Sequence, residues 1–350
     1  MYRPFTLRGR KAARLSMILL AGSLAPITAT IASGQITIPT GAAQHLIQGS
    51  VVEENSSGEV LGSAGDFNGD GFEDLVVGIP GADGPDSEEE GVAYIVFGTN
   101  SVGTSQIDTL ARPSRAVRLQ PLQVGTIGFQ AVGSSVISSE SACGCSSVVA
   151  IGAPGWSSSR GAVYLAHGST SPVDLDLSNF ASTEPSNNLG AMIVGADGAG
   201  EFGQSLAVGD IDGDGVMDLI IGAPADNLNQ GAVHVVFDYQ ALSGLHQLSD
   251  LAADGRTLTI LGNIAGSGFG RSVSSGGDVS GDATDDILIG APLEDSATGA
   301  AFLSYGTGPG GRGSSLGIGG FDTGTGGFSM RGRSGTNNTG LDVVIVDDMN

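Results

Sequence analysis

Charge, cysteine and aromatic residues are scarce in this chain. Only 15% of its 350 residues are charged, and 14 cations face 37 acids. Five of those cations, Arg3, Arg8, Arg10, Lys11 and Arg14, crowd into the first 14 positions, leaving nine arginines against 37 acids in the remainder. A surface of that sign repels phosphate backbones and anionic headgroups, which excludes a nucleic-acid role built on a basic footprint. The two cysteines, Cys143 and Cys145, cannot supply the four ligands of a structural zinc. In an oxidising compartment they form either a short local disulfide or two free thiols. None of the four histidines, His45, His167, His234 and His246, stands in an H-E-x-x-H or other metal-pair spacing. Beyond residue 32 no run approaches the roughly 18 apolar residues of a membrane span, and none keeps a helical period.

Glycine is what the chain has in abundance. Glycine and proline (59 and 13 residues) make up about a fifth of it, below the roughly 25–30% at which a non-periodic chain stays unfolded. With 40% hydrophobic residues, the chain buries a core. So many glycines call for tight turns and oppose long helices, which points to an all-β fold. The basic start is a separate matter. A cationic stretch ending at Arg14, an apolar stretch from Leu15 to Ala32 and the small residues Ala32, Ser33 and Gly34 predict a signal peptide over 1–34. The apolar run is continuous rather than amphipathic, against a mitochondrial presequence. The mature chain is therefore expected to be secreted or held at the cell surface.

Internal repeats organise the rest of the chain. Asp74–Pro80, Val148–Pro154, Asp218–Pro224 and Asp286–Pro292 are copies of one apolar run ending in Gly-x-Pro. Each is followed, after a polar loop, by a second: Gly91–Gly98, Gly161–Gly168, Gly231–Phe237 and Gly299–Gly306. Short β-branched runs bounded by Gly and Pro are strands. The positions eight residues ahead of each first copy, 66, 140, 210 and 278, are spaced by 74, 70 and 68. Further strands are expected before each pair, at Glu59–Gly65, Gln130–Ile137, Gln204–Gly209 and Arg271–Gly277. Upstream of three of these lies a fourth, at Val117–Leu119, Ala191–Gly195 and Thr257–Gly262. Four short strands per repeat suit a propeller blade. Gly306–Gly327 reads as a flexible loop between blades.

Between the first two strands of three repeats stands a nine-residue acidic loop. The oxygen-bearing positions are Asp66, Asn68, Asp70 and Asp74, then Asp210, Asp212, Asp214 and Asp218, then Asp278, Ser280, Asp282 and Asp286. Carboxylates crowded into one turn repel unless a cation sits among them. A hard ion taking six to eight oxygens fits, with the backbone carbonyls of Phe72, Val216 and Thr284 as further ligands. Calcium (Ca2+) is the expected occupant. An EF-hand is excluded, because its twelfth position would be Val77, Ile221 or Ile289, inside an apolar strand.

Phe202-Gly203, Phe269-Gly270, the D-x-D-x-D-G-x-x-D loops and the Gly-Ala-Pro endings at 152–154, 222–224 and 290–292 together resemble the FG-GAP repeats of the integrin α-chain propeller and of exported bacterial proteins. The resemblance implies a seven-bladed β-propeller over 47–350, after a linker at 35–46, with calcium loops on one face and a protein or carbohydrate ligand on the other. The ligand loops would be Gly81–Glu90, Gly155–Arg160, Ala225–Gln230 and Leu293–Thr298. Repeat 1 departs from the pattern with Ser57-Gly58 and Gly78-Ile79-Pro80. Repeat 2 has lost the acidic loop: Glu140, Ala142, Gly144 and Val148 occupy its ligand positions, so no metal is expected there. In repeat 4, Ala283 replaces glycine where a left-handed backbone is expected.

Catalytic motifs lack their context. Gly313-Ser-Ser315-Leu-Gly317 matches a nucleophile elbow without the strand and helix around it, and the chain is not read as an enzyme. Trp156, on a ligand-side loop, is either a recognition residue or local packing. The reading is a calcium-binding adhesion or binding module; the alternatives are a propeller serving a secreted hydrolase and a structural spacer. Asp348 and Asn350 repeat the start of the acidic loop, 70 residues after Asp278 and Ser280, so the chain is expected to hold about four blades and part of a fifth, continuing beyond residue 350.

Overall fold

The computed structural model of the chain describes residues 35–40, 43–48, 60–82, 90–99, 103–106, 115–120, 130–140, 147–181, 189–196, 198, 200–318, 321, 326–333 and 338–346. The expected signal peptide, Cys143 and Cys145, Asp348 and Asn350 lie outside them.

Each repeat folds as an antiparallel sheet. The strands run Val60–Gly65, Asp74–Ile79, Val92–Val96 and Ala116–Gln120 in repeat 1. They run Ser135–Glu140, Ser147–Ala153, Ala162–His167 and Gly190–Val194 in repeat 2, and Ser205–Gly209, Asp218–Ala223, Ala232–Val236 and Thr257–Leu261 in repeat 3. Repeat 4 has Ser272–Ser274, Ile287–Ala291, Ala300–Ser304 and Gly327–Arg331. The four sheets are blades of an all-β propeller. The fourth strands belong one repeat earlier than their place upstream of the next repeat suggests. They pair with the third strand of the repeat before, as in Val117 opposite Ile95 and Ile260 opposite Val233, across a connection longer than the one that leads on to the next repeat. Among the described residues the longest α-helix is Leu248–Ala253, and no helix is long and apolar enough to cross a membrane.

Second strands such as Asp218–Ala223 are buried along their whole length, because sheets stacked face to face cover both sides. First strands alternate instead: along Ser205–Gly209 only Ala207 and Gly209 are buried. With its neighbours from repeats 2 and 4 this strand lines an open cavity of about 570 Å³ walled by Ile137, Leu206, Val208 and Val273.

The Phe-Gly and Gly-Ala-Pro motifs meet at the blade junctions. A Cβ on Gly152 would lie 2.1 Å from the carbonyl oxygen of Gly203, and one on Gly222 would lie 2.1 Å from that of Gly270. No side chain fits there, so neighbouring backbones touch directly. Serines at the start of the first strands secure the junction, Ser135 two residues after Gly133 and Ser205 two after Gly203: Ser135 Oγ donates to Gly203 O (2.7 Å) and Ser205 Oγ to Gly270 O (2.9 Å). The connection between third and fourth strands reaches back to the preceding blade and adds a short parallel strand to its outer edge. Leu175–Asp176 lies on Ala116–Gln120, Gly244–Gln247 on Gly190–Val194, and Ser315–Gly317 on Thr257–Leu261. Covered edges resist pairing with other chains.

Two segments differ from expectation. Residues 35–46, expected as a linker, carry Gln35–Thr40 paired antiparallel with Ala43–Gln48, which in turn takes the parallel strand Gly103–Gln106; the β-branched Ile36, Thr37 and Ile38 favour this. Within Gly306–Gly327, expected as a flexible loop, 308–311 is a 3₁₀ turn and Ser315–Gly317 a strand. Pairing with the neighbouring blade orders them despite their glycine content.

Candidate metal loops and the opposite rim

The three acidic loops share one internal scheme. The first aspartate accepts two backbone N–H groups: Asp70 N and Gly71 N donate to Asp66 (3.0 and 2.8 Å), Asp214 N and Gly215 N to Asp210 (3.0 and 2.9 Å), and Asp282 N and Ala283 N to Asp278 (3.0 and 2.8 Å). The fifth position accepts from the seventh, with Phe72 N on Asp70, Val216 N on Asp214 and Thr284 N on Asp282. The last aspartate is buried and accepts from the loop's start: Phe67 N on Asp74, Ile211 N on Asp218, Ser280 N on Asp286. The sixth position is left-handed in each, at φ +85° for Gly71 and Gly215 and +69° for Ala283. The alanine accepts that conformation against its steric preference.

Carboxylate oxygens of Asp210, Asp212 and Asp218 lie within 4.8 Å of one another, as do those of Asp278, Asp282 and Asp286. Such crowding is costly. Burial, then the charges of Asp212, Asp214 and Asp210, pushes Asp218 up to about 8, against the opposing bond from Ile211. Burial, with Asp70 adding to it, lifts Asp74 to about 7, and burial also raises Asp286. Asp212 and Asp218 are fully buried, yet Asp212 Oδ1 and Asp218 Oδ1 have no hydrogen-bond partner. Buried acceptors left without a donor are expensive. A divalent cation bound by oxygens satisfies both, so these residues fit calcium. In repeat 2, Ala142 and Gly144 lie outside the described residues.

With each loop numbered by its repeat (first, third and fourth), two residues at the third loop, Asp210–Asp218, escape a reading of the nine-residue motif. Arg312, from the connection of repeat 4 that reaches back onto repeat 3, donates through Nε to Asp212 Oδ2, through Nη2 to Asp214 Oδ2 (2.7 Å) and through Nη1 to Asp238 Oδ2 (2.6 Å). Asp238 stands where repeats 1, 2 and 4 have Gly98, Gly168 and Gly306. That substitution was the visible signal.

The loops after the second strands lie at the opposite end of each blade, since Gly209 pairs with Asp218 at one end and Ala223 with Ala232 at the other. Three of them make the same left-handed turn, at Ser157–Ser159, Asn227–Asn229 and Asp295–Ala297, all at positive φ. Among non-glycine residues that costs roughly 1–2 kcal/mol each. Leu228 at the tip is 92% exposed, and Leu293 and Ile264 are exposed beside it. Gly266 N donates to Asn229 O and Leu293 N to Ser267 O, which joins these loops into one rim. Trp156 is half-buried and packs against the core. His234 is buried, bonded to Asp226 Oδ2 and Thr259 Oγ1 (both 3.1 Å) and packed on Phe202, a packing role.

The FG-GAP repeat family matches at residues 60–96, 202–236 and 269–313. Repeat 2, which lost its acidic loop, is not among the matched segments. An integrin alpha pat-2 of Caenorhabditis briggsae is 30% identical over 239 residues, 65% of this chain and 17% of that protein. Human integrin alpha-11 is 33% identical over 109 residues, 30% of this chain and 8% of that protein. Human phosphatidylinositol-glycan-specific phospholipase D is 33% identical over 154 residues, 41% of this chain and 16% of that protein. The chain thus spans less than a fifth of the length of these curated relatives. Its motifs, its blades and these likenesses agree: the chain carries three FG-GAP repeats and folds as a β-propeller similar to the N-terminal propeller of integrin α chains.

Proposed function

We propose that the chain is an exported, calcium-stabilised propeller that acts as a non-enzymatic binding or adhesion module, secreted or at the cell surface. Calcium holds the three acidic loops, and a protein or carbohydrate ligand docks on the opposite rim. The observation that carries the calcium half is the pair of buried, partnerless oxygens, Asp212 Oδ1 and Asp218 Oδ1, inside a cluster of carboxylates. The ligand half is supported by the exposed Leu228, Ile264 and Leu293 on strained, linked loops, since strain and apolar exposure gather where surfaces are used.

The likeness to a phospholipase D favours a second reading, in which the propeller serves a hydrolase lying elsewhere in a longer protein. Binding to arrays of extracellular proteins and glycans, in calcium, separates the two. Leu228→Ser with Leu293→Ser should abolish a captured interaction while leaving the melting temperature within about 1 °C, because exposed substitutions change stability little. Binding that survives this double change and is lost only with the acidic loops would overturn the placement of the ligand.

A further inference from the structure

The third acidic loop has a cation of its own. In the first and fourth loops the last aspartate is completed by a backbone N–H from the glycine ending the third strand, Gly98 N to Asp74 Oδ1 at 2.7 Å and Gly306 N to Asp286 Oδ1 at 2.8 Å. In the third loop Asp238 replaces that glycine and Asp218 Oδ1 is left without a donor. The side chain of Asp238 instead takes one arm of the Arg312 guanidinium, whose other donors hold Asp212 and Asp214. The group is further fixed over the Phe237 ring, 4.9 Å from its centroid. A planar fork with each of its three nitrogens donating to a different aspartate is a specific arrangement, unlike a chance surface pair. It also leaves Asp212 Oδ1 and Asp218 Oδ1 uncommitted.

We propose that Arg312 is a tethered cation of the third loop: through the Oδ2 atoms of Asp212 and Asp214 it offsets part of the loop's negative charge and keeps it formed without metal, and it lowers the affinity of that loop for a divalent ion. This rests on the reading of the acidic loops as calcium sites. The physical reason is that the guanidinium and the ion share two carboxylates. Each cation weakens the field the other sees, over a distance too short for salt to screen. Arg312 comes from the connection that repeat 4 lays across repeat 3, so the state of the third site is coupled to the seating of the neighbouring blade.

The test is calcium titration calorimetry on the full chain, with melting in chelator and in saturating calcium, for wild type, Arg312→Gln and Arg312→Lys. Arg312→Gln should tighten one site about tenfold or more, and its melting temperature should fall further in chelator than in calcium. Arg312→Lys keeps the charge and should retain near-wild-type affinity. Adding Asp210→Asn to Arg312→Gln should remove the tightened site, which assigns it to the third loop. A wild-type protein that responds to calcium while Arg312→Gln leaves the isotherm unchanged or weakens it overturns the proposal alone. A wild type with neither calcium heat nor a calcium-dependent melt overturns the metal reading and the proposal with it.

Discussion

Asparagine at position 218 should change the sign of its effect with calcium. Asp218 is fully buried, accepts Ile211 N–H at 2.9 Å through Oδ2, and has Oδ1 without a donor among the carboxylates of Asp210 and Asp212. An asparagine keeps an acceptor for Ile211 and turns an amide NH₂ toward its acidic neighbours, so repulsion becomes attraction. Burial and the neighbouring charges lift the carboxyl from 3.8 to about 8. Its contribution is therefore fully present below the unfolded pKa and is lost as pH rises through the folded one. At pH 7 the cost of the metal-free site is on the order of 2–4 kcal/mol, from about 1.4 kcal/mol per pKa unit. In chelator Asp218→Asn should then melt roughly 5–10 °C above wild type. In calcium the order reverses. Wild type gains about 4.1 kcal/mol at the third site at a thousandfold excess over Kd, more than the cost of the empty site, whereas the variant lacks the charged ligand at the loop's end. Scanning fluorimetry at pH 5 and pH 8, with and without chelator, reads both effects. The chelated wild type should lose stability between these pH values and the variant should lose less. A variant that melts below wild type in chelator as well as in calcium would refute the reasoning.

Other expectations concern single positions. Gly222→Ala puts a Cβ 2.1 Å from Gly270 O and 2.2 Å from Ser205 Oγ, and should cost about 3 kcal/mol or more by forcing two blades apart; a urea midpoint unchanged from wild type contradicts this account of the junction. Ala283→Gly, at φ +69°, should stabilise the chain by about 1 kcal/mol and tighten calcium binding at the fourth loop; a loss of stability would show that the left-handed turn carries no strain. Asp214→Ala should reduce the calcium stoichiometry by one in calorimetry and leave the remaining sites titrating, and a collapse of all binding would mean that the loops do not act separately.

Much of this protein was legible in one dimension. Period, strand positions and the acidic loops are local facts, since a nine-residue turn with oxygens at fixed offsets forms its own hydrogen bonds wherever a hairpin supports it. The left-handed backbone of Ala283 followed in the same way from its place in the motif. Tertiary structure decided what depends on neighbours. The strands that appear to open each repeat close the blade before it, pairing across the long connection that also reaches back over the preceding blade. The glycines of Phe-Gly and Gly-Ala-Pro prove to be two halves of one backbone contact, made between residues some 50 positions apart, such as Gly152 and Gly203. Arg312 lies in a glycine-rich stretch with no motif to mark it, 98 residues beyond Asp214. Only a connection that reaches back across a blade edge brings its charge to the third loop, and no pattern within either segment encodes that distance.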